Sequence, residues 1–283
     1  MAVPLTTQDS EARELEDLEL QLLAEAIHQR YGYDFRGYAR ASLRRRFWRR
    51  VHLEGLRSLS GLQERVLHDP ACMERLLGDL SINVTEMFRD PSSHKALRDA
   101  VLPEFRTHPF VRVWIAGCAT GEEVVSLAIA LRELDLLDRV RIYATDMDAE
   151  VLDRARRASY PLDKLQAYTR NYLEAGGAEA FASYYAVAGD EAVFDPTLVQ
   201  DVVWAQHNLA SDRSFNEFQL ILCRNVLIYF GRELQHHVLE LLDQSLVRRG
   251  VLALGRKETL GGTRLEDRYD ALVEPERIYR RRA

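Results

Sequence analysis

The first eighty residues carry hydrophobic side chains at helical spacing and almost no strand pattern. The apolar positions predict two amphipathic helices, with faces at Leu15, Leu18, Leu22 and Ile27 and at Leu43, Phe47 and Val51. Ser58 indicates the start of a third helix, and Asp69-Pro70 precedes a fourth that continues to Leu80. We therefore predict an all-helical N-terminal domain over residues 1–80, with a role in substrate or partner recognition.

From residue 110 onward, short apolar runs alternate with helical stretches. The runs predicted as strands are Val111–Ala116, Val140–Thr145, Val202–Ala205, Leu220–Cys223 and Val251–Gly255. Strands that alternate with helices indicate a mostly parallel sheet covered on both faces. Tyr269–Val273 and Ile278–Arg281 are too close in sequence for a parallel crossover, so they must form an antiparallel pair. Residues 110–283 are thus predicted as an α/β domain with a seven-stranded sheet.

Three further segments complete the predicted organisation. Tyr184–Val187 and Ala192–Phe194 flank Gly189-Asp190, which predicts a hairpin within a small inserted β-subdomain over residues 176–198. Residues 81–109 are predicted as a linker strand and helix. A helix is predicted over Arg232–Val247.

Composition excludes several classes of protein. The 283 residues are 47% hydrophobic and 29% charged, which is typical of a globular protein and not of a fibre or a disordered chain. No apolar run is long enough to span a membrane, and the acidic start does not resemble a secretory signal. Three separated cysteines argue against a disulfide framework, so we expect a cytoplasmic protein. The net charge of -6 gives no support for general nucleic-acid binding.

A glycine-containing loop and an acidic residue indicate a nucleoside-containing cofactor. Residues 117–123, Gly-Cys-Ala-Thr-Gly-Glu-Glu, follow the first predicted strand and precede a helix. Glycine allows a sharp turn and a close approach of backbone to ligand. Asp146 ends the next strand at the same edge of the sheet, where a carboxylate can accept hydrogen bonds from ribose hydroxyls. The spacing matches neither a dinucleotide fingerprint nor a P-loop, so these residues alone leave the cofactor open.

Five motifs in one order resemble the CheR family, the methyltransferases that modify glutamates of bacterial chemotaxis receptors. They are SINVTEMFR at 81–89, the 117–123 loop, ATDMD at 144–148, HNL at 207–209 and CRNVLIYF at 223–230. The resemblance extends from about residue 20 to the C-terminus. It implies a Rossmann-like class I methyltransferase sheet, a helical N-terminal domain and an inserted β-subdomain. It also implies S-adenosyl-L-methionine as cofactor, S-adenosyl-L-homocysteine as product and no metal.

The same resemblance assigns roles to individual residues. The implied cofactor-binding residues are Asn83, Thr85, Arg89, Gly117, Ala119, Glu123, Asp146, Asn208, Leu209, Asn225 and Val226. Arg89 and Tyr229 are the candidate catalytic residues, because Arg can hold a carboxylate bidentately and a phenol can donate a hydrogen bond to it. A glutamate side chain is already ionised at neutral pH, so the reaction needs no strong general base. The absence of a Ser-His-Asp or Cys-His signature agrees with this chemistry.

The sequence departs from the family pattern in two motifs. Val124-Val125 stands where the family commonly has Pro-Tyr, and Gly255-Arg256-Lys257-Glu258 stands where it commonly has Gly-His-Ser-Glu. Both departures flank the implied cofactor contacts rather than replace them. The predicted hairpin is short, so capture of a receptor's C-terminal pentapeptide by strand addition stays open.

The second helix is rich in arginine and contains no acidic residue. Its candidate partner-binding residues are Arg40, Arg44, Arg45 and Arg49. The partners implied are glutamate-rich cytoplasmic helices of methyl-accepting chemoreceptors; a solvated face that pairs with local acids is the alternative interpretation. We expect no nucleic-acid partner, no membrane insertion and a monomer. Nothing in the sequence resembles a heptad seam, and the oligomeric state stays open at this point.

Two other functions stay open at this point. One is a methyltransferase with a different acceptor, although the Asn/Asp-Pro-Pro-Tyr/Phe stretch typical of nucleic-acid amino methylation is replaced here by Arg-Asn-Val-Leu at 224–227. The other is a regulatory or scaffold module that binds S-adenosylmethionine without catalysis.

Overall fold

A computed structural model describes residues 7–80 and 85–283, with side chains from residue 11 onward. The described residues fall into two compact units. The helical unit lies within Met1–Ile82 and includes Tyr229–Gln235, and the sheet unit comprises Asn83–Ile228 with His236–Ala283. The grouping of residues 229–235 with the helical unit was not predicted from the sequence. No described helix is both long enough and apolar enough to cross a bilayer.

The part of the helical unit that the structure describes before residue 81 consists of four α-helices. They are α1 (Thr7–Tyr31), α2 (Arg40–Leu53), α3 (Leu59–His68) and α4 (Pro70–Leu80). The predicted N-cap is confirmed, because the Ser58 hydroxyl accepts a 3.0 Å hydrogen bond from the Gly61 N–H. Leu43, Phe47 and Val51 are all buried, as the spacing of four residues predicted.

The apolar face predicted for α1 is wrong at three of its four positions. Leu15, Leu18 and Leu22 are 60%, 50% and 49% exposed, and only Ile27 is buried. The buried face is formed by Leu20, Leu23, Ala24 and Ile27. Leucines lie on more than one side of this helix, so spacing alone did not determine which side packs against α3.

The sheet unit contains the remaining elements. Its helices are α5 (Pro91–Ala100), α6 (Glu122–Glu133), α7 (Ala149–Arg157) and α8 (Leu165–Glu174); α9 (Arg232–Gln244) begins in the segment grouped with the helical unit. Its strands are β1 (Val111–Ala116), β2 (Val140–Asp146), β3 (Ser159–Pro161), β4 (Tyr185–Ala188), β5 (Glu191–Phe194), β6 (Val203–Gln206), β7 (Phe218–Cys223), β8 (Leu246–Leu254), β9 (Tyr269–Val273) and β10 (Ile278–Arg281). The helix predicted to reach Val247 ends at Gln244, because Leu246 already belongs to β8.

The predicted seven-stranded sheet is confirmed. Its strand order is β6-β2-β1-β7-β8-β10-β9, with β10 antiparallel to both of its neighbours and the other pairs parallel. Val111, Val113, Trp114 and Ile115 of β1 are fully buried, which places this strand in the core. The carboxyl ends of β6, β2, β1, β7 and β8 therefore lie side by side along one edge, where α/β folds bind ligands.

The predicted hairpin forms part of a separate three-stranded sheet. Strands β4 and β5 pair as expected, and β3 pairs with the other side of β5. The sequence analysis did not predict β3, because three residues ending in proline give no alternating pattern.

Substitution of adjacent leucines in α1 would test which face packs. Leu23→Ala should lower the free energy of unfolding by about 2–5 kcal/mol, since it leaves a cavity in a fully buried site. Leu22→Ala, at a half-exposed position, should change it by less than about 0.5 kcal/mol. Denaturant unfolding of both variants would measure the difference, and equal losses would contradict the assigned face.

Candidate functional site

The glycine loop joins β1 to α6 in a conformation that its sequence explains. Gly117 and Gly121 have φ angles of +75° and +88°, which favour glycine. At Gly117 a Cβ atom would lie 2.6 Å from Cγ2 of Val226, so only glycine permits this approach of the two loops. Ala119 also has a positive φ, +47°, which costs free energy in a non-glycine residue. The loop is thus held in an uncommon conformation at the edge where a cofactor would lie.

Asp146 fixes this loop from the end of β2. Its Oδ2 accepts a hydrogen bond from the Ala119 N–H at 3.0 Å, and its Oδ1 accepts one from the Asp148 N–H at 3.2 Å. Burial raises the pKa of the Asp146 carboxyl, while these N–H donors act in the opposite direction. Each oxygen has a further lone pair, so the carboxylate can also accept hydrogen bonds from two ribose hydroxyls.

A buried arginine, Arg224, connects three segments of the site. Its Nη1 donates to Oε1 of Glu123 at 2.6 Å and to Nε2 of His94 at 3.2 Å. Its Nη2 donates to the Arg89 carbonyl at 2.9 Å and to Oδ2 of Asp90 at 3.2 Å. Only 2% of the Arg224 side chain is exposed, so these partners take the place of water around its charge. The turn that carries Arg89 is therefore held next to the first turn of α6, where Glu123 lies.

The predicted motif at 81–89 is only partly described. Asn83 lies outside the described residues, and Thr85 is partly exposed just before the turn. A second contact holds this turn against α6, since the Phe88 N–H donates to the Ser126 hydroxyl at 2.8 Å. Phe88 and Asp90 both have positive φ angles, on either side of the partly exposed Arg89.

Asn208 shapes the loop that follows β6. Its Oδ1 accepts a 3.0 Å hydrogen bond from the Ala210 N–H, and its own N–H donates to Asp212 at 2.8 Å. Because the side-chain oxygen is used locally, the amide NH₂ is the group that can donate to a ring nitrogen of adenine. Leu209 is buried beside it and can pack on a base.

Glu258 organises the loop that carries Asn225 and Val226. Its carboxylate accepts hydrogen bonds from the N–H groups of Gly255 at 2.6 Å, Asn225 at 3.0 Å and Ile228 at 3.3 Å. Burial raises the pKa of Glu258, although these donors favour the ionised form. Asn225 has a φ of +61°, a value that asparagine tolerates better than most residues.

Tyr229 lies in the helical unit, next to a buried arginine of α2. The guanidinium of Arg46 is 4.8 Å from the centre of the Tyr229 ring, and Arg46 Nη1 donates to the Leu80 carbonyl. Burial lowers the pKa of Arg46. The Tyr229 carbonyl accepts a 3.0 Å hydrogen bond from the Ala39 N–H. Contacts with Arg46 and Ala39 therefore fix both the ring and the backbone of Tyr229.

The candidate partner-binding arginines of α2 differ in their surroundings. Arg40 and Arg44 pair with acids of α1, and Arg44 approaches Asp17 to 2.7 Å. Arg49 is 67% exposed and lies 3.3 Å from Asp79. Arg45 is exposed, and no ion pair is recorded for it among residues 11–80 and 85–283. Local acids thus neutralise part of the predicted basic face.

The described residues offer groups of the right chemistry for an adenosyl cofactor. Carboxylate, amide and apolar side chains lie at or just after the carboxyl ends of three strands, β2, β6 and β7, at Asp146, Asn208, Leu209, Asn225 and Val226. The positive-φ glycine loop lies between them along the sheet edge. Within residues 7–80 and 85–283, no three His, Cys, Asp or Glu side chains are arranged to hold a metal ion.

The sequence analysis missed four residues that organise these loops: Arg46, His94, Arg224 and Glu258. Arg224 and Glu258 stand within recognised motifs; Arg224 is a charged residue directly after an apolar strand, and Glu258 is the only acidic residue in the loop after β8. His94 and Arg46 give no such signal, because their burial depends on packing between distant segments.

Comparisons with known proteins agree with this geometry. Residues 83–272 match the family described as CheR methyltransferase, SAM binding domain, and residues 18–81 match CheR methyltransferase, all-alpha domain. A Pseudomonas putida protein called Cher3 is 48% identical over 265 residues, which are 94% of this chain and 97% of that protein. Chemotaxis protein methyltransferase 2 of Pseudomonas aeruginosa is 33% identical over 75% of this chain and 76% of its own length. The chemotaxis protein methyltransferase of Listeria monocytogenes is 27% identical over 86% and 92%.

The buried histidine beside Arg224 predicts a loss of stability in mild acid. Burial and the neighbouring Arg224 charge lower the pKa of His94 well below its ordinary value. As pH falls below about 6.5, His94 becomes protonated in the unfolded chain but stays neutral in the folded chain. The free energy of unfolding should then fall by up to about 1.4 kcal/mol per pH unit.

The contribution of His94 is measured by difference. Denaturant unfolding of the native protein and of His94→Gln between about pH 7.5 and pH 5 should show a steeper decline for the native protein. Parallel curves would contradict a neutral, buried His94.

Proposed function

The chain belongs to the CheR methyltransferase family, and we propose that this S-adenosylmethionine-dependent enzyme methylates glutamate side chains of chemoreceptors. The observation that carries the proposal is the contact of buried Arg224 with both the Arg89 turn and Glu123. Through this contact Glu123, a candidate cofactor-binding residue, lies next to the turn that carries Arg89, the candidate charge-neutralising residue. The proximity supports a reaction in which both residues act together. Membership of the family fixes the methyl donor, and the glutamate acceptor is our inference from the family's characteristic reaction.

The carboxyl edge of the sheet supplies the residues assigned to the donor. Asp146 would accept hydrogen bonds from the ribose, and Asn208 with Leu209 would contact the adenine. Asn225, Val226 and Glu123 would surround the methionine portion, while Gly117 and Ala119 leave room for it. Asn83 and Thr85 are assigned to the same cofactor through their motif. Glu123 already pairs with Arg224. Its carboxylate would therefore have one cationic partner within the protein and a second in the amino group of the methionine portion.

The chemistry demands positioning more than proton transfer. When bound, S-adenosylmethionine supplies an electrophilic methyl carbon; a C–O ester bond forms as the C–S bond breaks, and S-adenosylhomocysteine leaves. The acceptor carboxylate is already ionised at neutral pH, so no base has to remove a proton. Good alignment alone can lower the barrier by about 7–11 kcal/mol.

Arg89 and Tyr229 are the residues proposed to contact the acceptor. The Arg89 guanidinium would neutralise and orient the carboxylate, and its backbone is fixed for that purpose by Arg224. The Tyr229 phenol is assigned through its motif as a hydrogen-bond donor to an acceptor carboxylate, and its ring is held by Arg46 within the helical unit. Neither residue would take up a proton during the reaction.

The partners we propose are glutamate-rich cytoplasmic helices of chemoreceptors, and we accordingly propose that the protein acts in the cytoplasm. Arg45, which has no ion-pair partner among the described residues, and Arg49, whose side chain is 67% exposed, are the residues we expect to contact them. Arg40 and Arg44 would contribute after exchange of their internal acids.

Methyl transfer to receptor-enriched membranes tests the proposed acceptor. Purified protein with radiolabelled S-adenosylmethionine should transfer label to receptor bands, and mild alkali should release that label as volatile methanol, because the product is an ester. Alkali-stable label would indicate a different acceptor atom. Donor binding by calorimetry without any transfer would favour a regulatory module.

The proposed role of Arg89 predicts a selective loss of turnover. Arg89→Ala should lower kcat by about 10²–10³-fold, the range found when a charge-stabilising donor is removed, with unfolding free energy nearly unchanged. Arg170→Ala, at an exposed position of α8, is the matched control and should retain normal turnover. Near-native kcat in Arg89→Ala would remove Arg89 from the mechanism.

A further inference from the structure

The loop after β8 is basic in a protein whose net charge is negative. Residues 255–265, here called the β8 loop, contain three exposed basic residues, Arg256, Lys257 and Arg264. The only acid in the loop is Glu258, which is 4% exposed and faces the interior. Since the whole chain has a net charge of -6, this loop differs in sign from the average surface. Arg256 and Lys257 occupy the two positions at which the family commonly has His and Ser.

The β8 loop starts at the edge of the sheet assigned to the methyl donor. Strands β7 and β8 are parallel, with Cys223 opposite Leu254, so the loops that follow them begin side by side. Their contact is close: a Cβ atom at Gly255 would lie 2.8 Å from the Asn225 nitrogen. Gly255, the first residue of the loop, thus packs against Asn225, and Lys257 follows it by two residues.

The loop is anchored on two sides. Glu258 accepts hydrogen bonds from Gly255 within the loop and from Asn225 and Ile228 outside it. Arg256 lies 3.3 Å from Glu276 and remains 52% exposed. Because these contacts hold residues 255–258, the first part of the loop presents its charges with little ordering cost when a partner binds.

Two of the basic side chains have no neutralising partner among the described residues. No hydrogen bond or ion pair is recorded for Lys257 or Arg264 in the part of the chain that the structure describes. By contrast, arginines of the C-terminal strand are paired, such as Arg280 with Glu104 at 2.6 Å and Arg281 with Asp243 at 3.2 Å. Exposed cations in a loop that starts at the carboxyl edge of the sheet can form ion pairs with an anionic segment of an acceptor.

We propose that the β8 loop is a docking surface for acidic residues that flank the methylated glutamate. The inference rests on the proposed function, because it takes the acceptor to be a glutamate-rich protein helix. Lys257 and Arg264 would contact neighbouring carboxylates of that helix, at the edge of the sheet where the donor residues lie. Such contacts are salt-sensitive and act on affinity rather than on the chemical step.

Peptide binding tests the docking surface independently of catalysis. Two fluorescent helical peptides carry one acceptor glutamate, flanked either by Glu and Asp or by Gln and Asn. In the presence of S-adenosylhomocysteine, Lys257→Glu with Arg264→Glu should weaken anisotropy-measured binding of the acidic peptide about tenfold at about 50 mM salt. At about 500 mM salt the difference should fall below about twofold. The affinity for S-adenosylhomocysteine should not change.

The matched control reverses two other exposed charges by the same amount. Arg248→Glu with Arg249→Glu changes residues near the start of β8, at the opposite edge of the sheet, and should alter acidic-peptide binding less than about twofold. Equal losses in both double variants, or none in Lys257→Glu with Arg264→Glu, would overturn the proposal. Lys257→Gln with Arg264→Gln gives a milder test if the charge-reversed protein does not fold.

A methyl-transfer assay with the same two peptides separates this inference from the proposed function. If the native protein transfers no methyl group to either peptide or to receptor-enriched membranes, glutamate methylation is refuted. The anisotropy measurements still decide whether the β8 loop binds an acidic segment.

Discussion

The site depends on one buried charge, the guanidinium of Arg224. A buried arginine is tolerated only where acceptors replace water, and Arg224 obtains them from Glu123, Asp90, the Arg89 carbonyl and His94. Removal of one partner from a buried pair typically costs about 3–5 kcal/mol, because the other charge is left uncompensated. The requirement to satisfy this cation therefore fixes the turn at Arg89 against the first turn of α6.

Two buried carboxylates act in the same way on neighbouring loops. Asp146 accepts a hydrogen bond from the Ala119 N–H in the glycine loop, and Glu258 accepts them from the Asn225 and Ile228 N–H groups after β7. Each of the three loops is thus held by a charged side chain from a different part of the chain. A reaction that needs alignment and charge neutralisation, and no proton transfer, benefits from loops whose positions are fixed before the reactants bind.

The arginines of α2 show how packing divides a uniform pattern. Arg46 and Arg50 are buried, Arg46 with Tyr229 and the Leu80 carbonyl, and Arg50 with Asp79 and Glu54. Their neighbours Arg45 and Arg49 remain exposed. The arginine-rich pattern therefore includes both residues that stabilise the helical unit and residues available to a partner. Spacing indicated the apolar stripe of this helix but not that arginines lie beside it in the core.

The sequence by itself determined the elements of the sheet, the positions of the loops and the family. Apolar runs and turn residues are local signals, and β1, β9 and β10 have the predicted bounds. What only the tertiary structure decided was which polar groups meet. The face of α1 depends on α3, strand β3 depends on β5, and the roles of Arg224 and Glu258 depend on partners 30 to 135 residues away in sequence. Burial of a charge is determined by such distant partners, because a short window of sequence contains the residue without the acceptors that make its burial possible.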